Sequence, residues 1–170
     1  MYVIPNELVE ETWQEVGSSS AEQARELINR IGKCQSNLLS FVIVFTEDLG
    51  VDAHELSLYL FTVIYRVFEK AAFGRIRQLK QREIEAAYEG NEKFCERYLA
   101  AHERFLAKAA ESIAMPQPFV MKYLIEALFE APEQEEDPVV LSEEDSGQIF
   151  LVLKTAIDLL ADATSPAARK

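Results

Sequence analysis

From Leu27 to Phe45 the side chains Leu27, Ile31, Cys34, Leu38, Phe41 and Phe45 follow one another in steps of four and three without a slip. That spacing returns each side chain to one face of an α-helix, whereas a strand would scatter it over both faces. The same rhythm runs through Ile84, Tyr88, Asn91, Cys95, Tyr98, His102, Phe105 and Ala109. No segment alternates with period two for long enough to form a confident strand. The pattern predicts an all-α fold, an antiparallel bundle of five to six helices with two long members.

The predicted helices cover residues 6–16, 21–48, 53–73, 81–113, 119–131 and 143–162. Ser20 with Gln23, Asp52 with Glu55 and Ser142 with Asp145 each have the three-residue spacing of a helix start, where a short polar side chain receives an orphan backbone N–H. Gly50 is expected to end the second helix in a left-handed cap. The long second and fourth helices run past Gly32 and Gly90, with a kink allowed at Gly90-Asn91. Residues 53–73 are apolar around most of the circumference, which marks a buried helix at the centre of the fold. The last helix is expected to bury one stripe, Ile149, Leu153, Ala156, Ile157 and Leu160.

A chain of 170 residues suits one domain spanning 1–170, with an acidic loop at 132–141 and a disordered tail at 163–170. Hydrophobic residues at 49% and charged residues at 27% are those of a globular chain and supply a core without disulfide staples. The two cysteines, Cys34 and Cys95, are too far apart for CxxC chemistry and are expected as small buried hydrophobes. Residues 1–16 lack the basic start and apolar centre of an export signal. The longest apolar runs, 38–46 and 56–65, reach half of the roughly 20 residues a membrane span needs. A cytoplasmic location and no membrane contact are expected.

The net charge is −12, and residues 130–145 contribute −8 of it through Glu130, Glu133, Glu135, Glu136, Asp137, Glu143, Glu144 and Asp145. An acidic balance argues against a general nucleic-acid binder, because phosphate neutralisation requires Lys and Arg. One basic patch stands out: Arg66, Lys70, Arg75, Arg77, Lys80 and Arg82, with Glu69 the one acid between 66 and 82. It is the candidate interaction surface, paired with acids elsewhere or offered to an acidic or phosphorylated partner; only Phe73 is interleaved as a base-stacking aromatic.

Cys95 and His102 share a helical face, but seven residues separate them by about 10.5 Å along the axis. One zinc ion holds its ligands at about 2.0–2.3 Å, so one helix cannot offer it both. The Glu-x-x-His pattern of di-iron bundles fails, since Leu99 precedes His102 and Val51 precedes His54 at that spacing. The acidic loop has neither the glycine nor the alternating ligands of a calcium-binding EF-hand. No nucleophile elbow, Walker loop or dinucleotide fingerprint is present. No catalytic residue, cofactor or metal is therefore assigned.

The leading expectation is a protein that works by binding another protein or itself, as a homodimer, through its long apolar stripes. The alternative is a bundle enzyme or a small-ligand or metal carrier with an interhelical pocket near Tyr65, Tyr98 and His102. Phosphate or nucleic-acid binding by residues 66–82 is a lesser alternative.

Overall fold

The computed structural model describes residues 2–73, 75–99, 115–130 and 140–164, leaving aside the side chains of 96–99 and 130. These residues form helices that pack on one another, with no strand among them. The helices are α1 (Asn6–Gly17), α2 (Ala21–Cys34), α3 (Ser36–Thr46), α4 (Val51–Ala71), α5 (Gln81–Leu99), α6 (Pro118–Ile125) and α7 (Glu143–Thr164). A π-helical turn, Glu126–Glu130, prolongs α6. All seven helices contribute to one cluster of buried apolar side chains.

Two of the three expected caps form. Ser20 Oγ accepts the Gln23 N–H while Gln23 Oε1 accepts that of Ser20, and Ser142 Oγ accepts the Asp145 N–H at 3.0 Å. The third does not: α4 starts one residue before Asp52, behind Gly50, whose φ of −54° also rules out the left-handed cap. The left-handed position falls instead on Phe73, with φ 51° and the ring 90% exposed. A bulky residue is strained there, between the end of α4 and the non-helical residues 75–80.

The helix expected over 21–48 is two helices. Gln35 breaks it, at φ −137° and ψ 52°, and its side chain is 1% exposed. Gln35 Oε1 accepts the Leu79 N–H at 3.0 Å and its Nε2 donates to the Arg77 carbonyl at 2.8 Å. Asn37 Nδ2 donates to the Leu79 carbonyl at 2.9 Å. A non-helical segment laid against a core needs partners for its backbone groups, and the break turns these two amides toward it. Gln117, buried just before α6, does the same for the N-terminal segment: it accepts the Ile4 N–H and donates to the Tyr2 carbonyl.

The last helix, not α4 alone, fills the centre. Every residue from Ile149 to Ile157 is buried, and α7 packs against α3, α4, α5 and α6. It runs back along α5, with the Arg77 N–H near the Ala163 carbonyl at one end and Asn91 bonded to Thr155 and Asp158 further along. The predicted tail is also corrected at its start. Ala163 and Thr164 are helical, Ala163 is buried, and Thr164 Oγ1 donates to the Leu160 carbonyl. Helix α5 passes Gly90 and Asn91 without a break. Its predicted continuation to 113, the acidic loop up to 139 and the tail beyond 164 lie outside the described residues.

Candidate functional site

An open cleft of about 360 Å³ lies between α3 and the first turns of α5. Phe41, Val44, Phe45 and Ile84 form its apolar lining, and Asn37, Ser40, Gln81 and Glu85 its polar rim. Asn37 holds Leu79 at one end, while the Phe45 and Tyr88 rings meet at 4.6 Å at the other. The two helices therefore run in the same sense here. Phe41 completes the aromatic group, 4.8 Å from Phe45 and 5.5 Å from Tyr88.

Phe45, expected on the inward stripe, is 40% exposed, and Val44 beside it 54%. The break at Gln35 is the reason, because α3 no longer continues the face of α2. Leu38 and Val42 now point to the core and Val44 and Phe45 to the cleft. The signal available in the sequence was the absence of any charge from Ser36 to Thr46, which leaves α3 without a polar face. Cys34, at the same break, is exposed rather than buried; Cys95 is buried as expected, which pushes its thiol up.

The basic patch divides into three parts. Arg66 pairs with Glu15 at 3.1 Å and Glu69 at 2.7 Å, Lys70 pairs with Glu15, and Arg30 reaches Glu69 at 2.8 Å. Arg77 pairs with Glu83 at 2.9 Å. Arg75, Lys80 and Arg82 are exposed and make no ion pair among the described residues. The hydrogen bond from Lys70, aided by Arg66 and opposed by partial burial, holds the Glu15 carboxyl below its ordinary range. A lowered folded-state pKa gives stability that is present above the unfolded value and lost as pH falls through the folded one. Glu15→Gln is therefore expected to flatten the acid limb of the stability–pH curve in urea titrations at low salt. An unchanged limb would mean that the pair is screened away.

A second polar group lies where α5 meets α7. Lys154 Nζ, on a side chain 11% exposed, donates to Asp158 Oδ2 at 2.6 Å and Asn91 Oδ1 at 2.8 Å and sits 5.3 Å from the centre of the Phe94 ring. Asn91 Nδ2 in turn donates to Asp158 at 3.0 Å and Thr155 at 3.1 Å. Lys154, Asn91 and Asp158 satisfy one another, so the group fixes the register of the two helices.

Of the three pocket candidates, Tyr65 is buried on α4, where burial and the nearby Glu69 push its phenol up to about 12. The groups acting on it are Glu69, one turn further along α4, and Cys34 and Arg30 of α2. His102 and the side chain of Tyr98 lie outside the described residues. His54 is engaged with Thr46, Nδ1 to Oγ1 at 2.9 Å. Among the described residues no three His, Cys, Asp or Glu side chains gather as a metal site, and no helix is long and apolar enough to cross a membrane. Comparison with protein-family models, curated proteins and solved structures finds no match.

Proposed function

We propose that the chain works by binding protein, another or a second copy of itself, with the α3–α5 cleft as its contact surface and a homodimer as its resting form. The supporting observation is the cleft itself: Phe45 and Val44 stand open to solvent above a cavity of about 360 Å³ on an uncharged helix. Covering such side chains is worth about 25 cal/mol per Å² of apolar area, which is how protein interfaces use aromatic anchors. We also take the chain as one domain, its other helices arranged as an antiparallel bundle. A cytoplasmic setting fits the free thiols of Cys34 and Cys95.

Light scattering on the purified protein at micromolar concentration is expected to give twice the chain mass of 19.3 kDa. Phe45→Glu, which puts a charge over the cleft, is expected to return the mass to that of one chain, with a thermal melt confirming that the variant stays folded. A monomeric parent protein sinks the dimer, and a dimer unaffected by Phe45→Glu moves the contact to another face.

A further inference from the structure

We infer that the cleft is one half of a two-fold contact polarised by charge, in which Arg82 of each protomer lies over the partner's Glu89. This rests on the dimer proposed above and adds how the two copies sit. Because α3 and α5 run in the same sense, both helix N-termini lie at the Asn37 end of the cleft and the C-terminus of α3 at the Phe45 end. The dipoles make the first end positive and the second negative. Side chains follow the same order. Exposed Lys80 and Arg82 stand at the first end; Glu85, on the cleft rim, and exposed Glu89 follow along α5, and exposed Glu47 and Asp48 follow Phe45.

Arg82, Glu85 and Glu89 are spaced by three and four residues and so form one stripe along the cleft border. None of Lys80, Arg82, Glu85, Glu89, Glu47 and Asp48 makes an ion pair among the described residues, although Glu85 accepts a bond from Gln81. A two-fold axis in the contact plane and perpendicular to the cleft reverses its direction and brings each positive end onto a negative one, whereas an axis along the cleft would stack like ends. The apolar lining between the two ends, Phe41, Val44 and Ile84, then faces its own copy, and Phe45 lies toward the partner's positive end. A chain of net charge −12 repels its copy over most of its surface, so a face carrying unpaired cations beside an apolar cleft is where a second copy fits best.

The test is a charge swap, read by light scattering and sedimentation equilibrium, with thermal melts to confirm folding. Arg82→Glu and Glu89→Arg are each expected to weaken the dimer at least tenfold. The double variant carrying both in one chain is expected to dimerise like the parent, and mixing the two single variants is expected to give a heterodimer. Single variants that dimerise normally, or a mixture that stays monomeric, overturn the polarised contact. If Phe45→Glu still dissolves the dimer in that case, the cleft stands as the interface and only its charge pairing fails. A parent protein that is monomeric removes both.

Discussion

Truncating Lys154 to alanine is expected to lower the unfolding free energy by about 3 kcal/mol, the lower end of what breaking a buried ion pair costs. The ammonium is held by Asp158, Asn91 and the Phe94 ring at the α5–α7 contact. Its removal leaves a carboxylate that is 26% exposed and still bonded to Asn91, so the loss stays below the full cost of an orphaned buried charge. Removing both charges while keeping volume, with Lys154→Met and Asp158→Leu together, is expected to be close to neutral. Urea denaturation separates the cases: the single variant shifts the midpoint at constant slope, the double variant leaves it in place. Equal losses in both would mean that packing of the lysine stem, not its charge, is what matters.

Gln35→Ala is expected to cost about 2–4 kcal/mol, since it strips partners from the Leu79 N–H and the Arg77 carbonyl, each worth about 1–3 kcal/mol when left unmet in the interior. Gln35→Glu separates the two bonds, because a carboxylate can accept from Leu79 but cannot donate to Arg77. Both variants are expected to loosen the 75–80 segment, raising amide exchange at Leu79 and Lys80, and to weaken the dimer through the cleft that this segment borders. Unchanged exchange at these residues would show that water replaces the glutamine.

The helical class and the caps at Ser20 and Ser142 were legible because they depend on residues close in sequence. The break at Gln35 was not. Its cause is a segment more than forty residues away, and the apolar spacing in the sequence passes through the break unaltered although α3 does not continue the face of α2. The central place of α7 was hidden for a related reason: Lys154, Thr155 and Asp158 look like a solvated face until Asn91 meets them from α5. The cleft escaped notice because α3 is apolar on both sides, and a single stripe cannot say which side meets the core. The basic patch was visible as composition. Its division into paired and unpaired cations depended on Glu15, which is remote in sequence.

The burial of α7 on every side also sets an order of assembly. Among the described residues the helix that fills the centre follows α4 by a long stretch of chain, so α4, with Leu60, Phe61, Ile64 and Phe68 buried in the finished fold, lacks its α7 contact until residues 149–157 have been made. Apolar surface left open in this way makes an unfinished chain prone to aggregation, so a fragment ending before α7 is expected to bind hydrophobic dyes and to aggregate where the whole chain does not.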